Sequence, residues 1–155
     1  MLNRLRQITF LAALAVTAGL GMAEAAGSPD DAIKARQEEM KANSKAMGAL
    51  VSILKGETPS DAAKVKSSVD AIAAAGAAAD SASAWDAAAQ TGTIETWAKP
   101  EVWTDAAGFD AARQKLSTAL AALSATNDAG AFKSAFPQLG GACKGCHETY
   151  RRPKD

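Results

Sequence analysis

Four stretches of this chain repeat apolar residues at intervals of three, four and seven, a period that admits little except helices packed side by side. The first stripe is Ile33, Gln37, Met40, Met47, Leu50, Val51 and Leu54. It opens on Ser28-Pro29-Asp30-Asp31, which supplies a hydroxyl cap, a first-turn proline and acids facing the positive helix end. Gly56 and Pro59 stop it. A second stripe, Val65, Val69, Ile72, Gly76 and Ala79, follows Ser60-Asp61, and its small later residues let a neighbour approach closely. That helix frays into the one long loop expected, from Ser81 to Gly92. Pro100 restarts the pattern with Val102, Ala106, Phe109, Leu116, Leu120 and Leu123. After Asn127-Asp128 a fourth helix is expected from about Ala129 to Arg152, with Pro137 kinking it or splitting off its first turn. Alanine dominates and runs of β-branched residues are almost absent, so local propensity agrees with the period. The predicted fold is all-α, an antiparallel up-down-up-down four-helix bundle.

The first 25 residues stand outside this pattern. Arg4 and Arg6 precede an apolar run from Ile8 to Leu20, and Ala23-Glu24-Ala25 gives small residues flanking a cleavage point. The run is too short to span about 30 Å of hydrocarbon. Residues 1–25 therefore read as a signal peptide cut after Ala25, with Ala26 as the alternative, and 26–155 as one mature domain. The two arginines are not adjacent, so a twin-arginine signal is not indicated. No other stretch has spanning length, which predicts an exported, periplasmic protein that does not span the membrane.

The 17 basic and 17 acidic residues balance, which excludes nucleic-acid binding through bulk charge. Losing Arg4, Arg6 and Glu24 leaves 15 basic and 16 acidic residues, a charge of −1. Two cysteines and one histidine cannot complete a four-ligand zinc site or a disulfide-rich scaffold.

Those three residues fall together, in Gly140-Gly141-Ala142-Cys143-Lys144-Gly145-Cys146-His147. Cys-x-x-Cys-His is the attachment pattern for c-type haem. On a helix, positions i, i+3 and i+4 share a face. Two thiols there can add to the two vinyl groups of a haem while the imidazole ligates the iron from the same side. Gly140 and Gly141 are expected to remove side chains where the flat macrocycle approaches. A redox dithiol would need a βαβ setting that the chain lacks. A disulfide between helical residues three apart would be strained.

His147 is the only histidine, so a second protein ligand must come from elsewhere, and only Met40 and Met47 remain after export. At 1.5 Å per residue, His147 lies about 8 Å from the end of the fourth helix. On the same rise, Met40 lies about 15 Å and Met47 about 25 Å from the start of the first. Met40 is the nearer match in height, with Arg36 one turn before it, and Met47 reads as core.

With these residues in view, the chain resembles the class II c-type cytochromes, cytochrome c′ and its low-spin relative cytochrome c-556. The haem motif is followed by Glu148-Thr149-Tyr150-Arg151, as CH-x-x-[YF]-R in that family. The first helix contributes Arg36-Gln37-Glu38-Glu39-Met40-Lys41, Met47-Gly48-Ala49 and Lys55-Gly56-Glu57-Thr58-Pro59. The third begins Pro100-Glu101-Val102-Trp103. The resemblance implies one covalent haem c in the bundle core, held at Cys143 and Cys146, with His147 as proximal iron ligand. It implies haem contacts from Arg36 and Gln37, and a cation from Arg151 near the proximal histidine. Met40 takes the distal position, which holds an apolar residue in cytochrome c′ and the methionine ligand in cytochrome c-556. Ser81 to Lys99 does not align, so no contact is carried over there.

Met40-Lys41-x-Asn43 looks closer to cytochrome c-556, which favours a periplasmic electron carrier with His147 and Met40 as axial ligands. The alternative is a five-coordinate, cytochrome c′-type protein that binds nitric oxide or carbon monoxide, with Met40 as a steric gate. Catalysis has little support, for want of a distal histidine and a second haem motif. The partners expected are periplasmic redox proteins or, on the alternative, diatomic gases. Gly48, Ala49 and Gly56 on the first helix and the Gly/Ala face of the second leave room for close contacts between chains, and the resemblance implies either a monomer or a homodimer.

Overall fold

The computed structural model describes residues 27–153, so the expected signal peptide lies outside the described residues. Helix α1 (Pro29–Leu54) starts in a capping box. The Ser28 hydroxyl accepts from the Asp31 amide at 3.2 Å, and the Asp31 carboxylate accepts from the Ser28 amide at 3.2 Å. It ends where Gly56 adopts a φ of +76°, a conformation that a side chain resists. Helix α2 (Ala62–Ser81) is capped by Asp61, which accepts from the Ala63 amide at 2.8 Å. After a long connection come the single turn α3 (Glu101–Thr104), then α4 (Ala106–Ser124) and α5 (Ala129–Tyr150). Asp128 caps α5, accepting from the Gly130 and Ala131 amides at 2.8 and 2.9 Å.

The four long helices form the expected bundle, α1 packing along α2, α4 along α5, and α2 against α4. Its main core joins Leu50, Ile53, Val65, Val69, Ile72, Leu120, Leu123, Phe132 and Leu139. Each large aliphatic chain so buried contributes about 1.5–3 kcal/mol relative to exposure. A second cluster, Val102, Phe109 and Tyr150, gathers Trp85, Trp103 and Cys146 around it. Between these packed regions α1 and α5 stand apart, and that gap becomes the site. No described helix is long and apolar enough to cross a membrane.

Three local expectations are corrected. The third helix is broken: Asp105 leaves helical geometry at φ −120°, ψ 54° and caps α4 by accepting from the Gly108 amide at 3.1 Å. Pro137 does not split α5, which runs unbroken through it. Pro137 and Lys133 are both exposed, so water can reach the carbonyl that the proline leaves without an amide. The buried face of α1 is Ala32, Ile33, Arg36, Glu39, Ala46, Leu50 and Ile53, whereas Gln37 is exposed and Met40 is 38% exposed. The Gln37–Met40 side looks into the gap rather than onto packed helix, which is why its residues keep their exposure.

Residues 82–100 contain only a 3-10 turn, Ala87–Ala89, yet they are held firmly. Asp30 accepts from the Thr93 and Ile94 amides at 2.7 and 3.3 Å and from the Thr93 hydroxyl. Ala98 bridges to Arg151, the Lys99 amide donating to Tyr150 at 2.9 Å and the Arg152 amide to Trp97 at 2.8 Å. This pairing draws Arg151 into extended backbone and ends α5 at Tyr150, two residues before the expected Arg152. The Lys99 ammonium donates to the Glu148 and Thr149 carbonyls at 3.1 and 3.0 Å, satisfying orphan acceptors at the negative end of α5.

Candidate haem site

The gap between α1 and α5 is a cavity of about 560 Å³. From α1 it receives Ile33, Arg36, Gln37, Met40, Lys41 and Ser44. From α5 and the residue after it come Cys146, His147, Tyr150 and Arg151. The long connection closes it with Trp85, Thr96, Trp97 and Ala98, and Val102 and Phe109 stand behind. Six of the seven residues singled out from the sequence thus line one space. The seventh, Cys143, shares the α5 face but lies one turn away and packs against the main core cluster. Gly140 and Gly141 do not line the cavity, and a Cβ at either would meet nothing within 4 Å.

Each functional side chain has a physical setting. Both cysteines are free, and burial pushes both thiols up from their ordinary range. Partial burial lowers the His147 pKa, and the Arg151 charge lowers it further, which favours the neutral imidazole that a metal ligand needs. Arg151 lies over the Trp97 ring at 4.9 Å from its centroid. The Gln37 amide donates to the Glu95 carbonyl at 3.1 Å.

Arg36 is only 4% exposed. Its guanidinium donates to the Ala84 carbonyl, to the Ala89 carbonyl at 3.0 Å and to the Thr96 hydroxyl at 3.3 Å. It also lies 5.6 and 5.5 Å from the ring centroids of Trp85 and Trp103. The cation predicted as a haem contact therefore also pins the long connection to α1.

Sequence reasoning missed the aromatic wall and Glu39. Trp85 packs on Phe109 at 5.1 Å between centroids, and Phe109 on Tyr150 at 5.2 Å. Tyr150 donates its hydroxyl to Asp105 at 2.8 Å. Glu39 is buried and accepts from the Trp85 indole at 3.3 Å; burial raises its pKa, an effect that the Trp85 bond and nearby Arg113 oppose. The one available signal was Trp85 itself, a large aromatic in a stretch otherwise rich in Ala and Ser.

The residues present fit a haem. The cavity falls in the size range of cofactor sites. Its walls are largely aromatic and aliphatic, and its charged lining is cationic, Arg36, Lys41 and Arg151, with no carboxylate. That is the complement of a flat apolar ring bearing two anionic propionates.

Comparison with known proteins agrees with this chemistry. The family model described as Cytochrome C' matches residues 31–151. A cytochrome c' from Alcaligenes xylosoxydans xylosoxydans is 36% identical over 129 residues, covering 81% of this chain and 97% of the relative. A cytochrome c-556 from Agrobacterium fabrum is 35% identical over 124 residues, 79% of this chain and 82% of the relative. Among solved structures, a nitric oxide complex of a cytochrome c prime variant from Alcaligenes xylosoxidans superposes with a TM-score of 0.72 at 31% identity, covering 82% of this chain and 98% of that one. The Cys143–His147 motif, the bundle and the matched length together place this chain in the cytochrome c′ family of class II c-type cytochromes, as a monohaem protein carrying covalent haem c.

Proposed function

We propose that the protein is a periplasmic electron carrier, exported by residues 1–25 as signal peptide, in which His147 and Met40 would both ligate the haem iron. One observation carries this reading: Met40 on α1 and His147 on α5 line the same cavity, whereas Met47 packs against the main core cluster. When bound, the haem supplies a one-electron couple whose potential the protein sets through axial ligands, burial and nearby charge. Cys143 and Cys146 anchor it, and the neutral His147 imidazole presents a nitrogen lone pair. The Met40 thioether, on the facing helix, is an adequate iron ligand in c-type sites. The connection pinned by Arg36 and Asp30 keeps Trp85 and Trp97 in place and limits water on that side.

The second reading is a five-coordinate protein that binds a diatomic gas, with Met40 as a steric gate. The nitric oxide complex of the Alcaligenes relative favours it. Absorption spectra of the haem-loaded protein, oxidised and then reduced, separate the two. Sharp α and β bands on reduction mean that Met40 is bound and the protein relays electrons. A broad, unsplit visible band means an open iron, and the gas-binding reading then replaces the first.

A further inference from the structure

A second cavity, of about 500 Å³, backs onto the haem cavity, and the two share Trp85, Val102 and Phe109 as a common wall. The lining of the second cavity also includes Asp80, Asp86 and Asp110 and a single cation, Arg113. Asp80 already holds Arg113 through both carboxylate oxygens, at 2.7 and 2.6 Å. Asp86 and Asp110 make no ion pair among the described residues. The aromatic wall is immobilised. The Trp103 indole donates to the Trp85 and Asp86 carbonyls at 3.0 Å each, and the Trp85 indole donates to Glu39.

With haem bound, its two propionates would offset Arg36 and Arg151 of the haem cavity, and two exposed pairs on α1 and α5 neutralise themselves, Lys41 with Glu38 at 2.7 Å and Lys144 with Glu148 at 3.6 Å. A positively charged macromolecule is therefore drawn to the second cavity and not to the open side of the first. There, one layer of aromatic side chains separates it from the haem cavity.

We propose that this acidic groove is the docking surface for a one-electron redox protein that presents a basic segment. The proposal rests on the electron-carrier reading. One electron passes from the reduced iron to the oxidised centre of the partner, or from the partner's reduced centre to the oxidised iron. No bond forms or breaks, and no proton is required.

Two cationic probes test it on the haem-loaded protein. Hexaamminechromium(III) is redox-inert and paramagnetic, so it broadens the proton resonances nearest to where it binds. The Trp85 and Trp103 indole N–H signals are expected to broaden first; selective broadening of Gln37 and Lys41 instead overturns the proposal. Hexaammineruthenium(III) as oxidant reads the rate. Asp86→Asn with Asp110→Asn is expected to slow oxidation by roughly three- to tenfold at low salt, the difference vanishing as salt screens the charges. The anionic oxidant ferricyanide is expected to react no more slowly with that variant. Glu57→Gln with Asp70→Asn removes the same charge from exposed ion pairs outside the groove. An equal slowing in both variants overturns the proposal, because net charge alone then explains it. Fast wild-type exchange that ignores the Asp86 and Asp110 changes sinks the groove while leaving the electron-carrier reading intact. An open-iron spectrum with slow wild-type exchange overturns that reading, and the docking proposal with it.

Discussion

The Arg36 guanidinium donates to the Ala89 carbonyl at 3.0 Å, binding the first helix to a residue 53 positions further along the chain. The Ala84 carbonyl, the Thr96 hydroxyl and two indole faces complete its surroundings. Among the described residues no carboxylate pairs with it, so a buried charge is solvated by fixed dipoles and ring quadrupoles. One side chain thus ties both ends of the stretch from Ala84 to Thr96 to α1, beside the contacts that Asp30 makes to Thr93 and Ile94.

Arg36→Ala should therefore leave two buried carbonyls unpaired and destabilise the protein by about 2–4 kcal/mol, readable in urea unfolding. Backbone amides between residues 84 and 96 should exchange faster while those of α4 keep their protection. Arg36→Lys should recover little, since one ammonium cannot span three separated acceptors. Full recovery by lysine would mean that charge alone, and not the fork of donors, holds the connection.

Tyr150 supplies a pH signature. Burial, followed by the bond to Asp105, pushes its pKa up from 10.0 to about 12. Because the folded value is the higher, the native state keeps its proton where the unfolded chain has lost it. This contribution is complete below pH about 10 and is lost as pH rises through about 12. Ultraviolet titration should show phenolate only near the upper value, and Asp105→Asn should bring it lower. A titration in Asp105→Asn identical to wild type would remove Asp105 from the explanation.

Gly108 is required by the same contact. A Cβ there would lie 2.5 Å from the Tyr150 hydroxyl and closer still to the Asp105 carboxylate. Gly108→Ala should force the pair apart and cost about 1–3 kcal/mol in thermal unfolding. It should also weaken the α4 cap, because the Gly108 amide is the donor that Asp105 accepts.

The two methionines should separate cleanly. Met40→Ala should convert a low-spin spectrum to high-spin with little change in thermal stability of the apoprotein, since Met40 is 38% exposed. Met47→Ala should leave the spectrum alone and lower stability by about 1–3 kcal/mol, because Met47 packs against the main core cluster. An unchanged low-spin spectrum in Met40→Ala removes Met40 as a ligand.

The helices and the haem-binding pair were legible for a common reason. Caps at Ser28, Asp61 and Asp128 act on amides two or three residues away, so local sequence carries the whole interaction. Cys143, Cys146 and His147 stand at i, i+3 and i+4 on α5, so helical geometry alone sets them on one face, and Cys146 and His147 line the cavity. Asp105 was not legible as a cap, because the apolar period continues across it and the break depends on a turn in which Tyr150 also takes part.

By itself, the sequence determined four amphipathic stripes, the caps at Ser28, Asp61 and Asp128 and one haem-attachment motif, because helical period, capping and thiol spacing act over a few residues. The tertiary structure decided that α1 and α5 stand apart, that Met40 faces the resulting cavity, and that Arg36 and Glu39 are buried. It also decided the course of residues 82–100. The Arg36 acceptors there are mostly backbone carbonyls, which every residue possesses, so no side-chain pattern could announce them. Only the packed bundle brings those carbonyls within reach of the guanidinium.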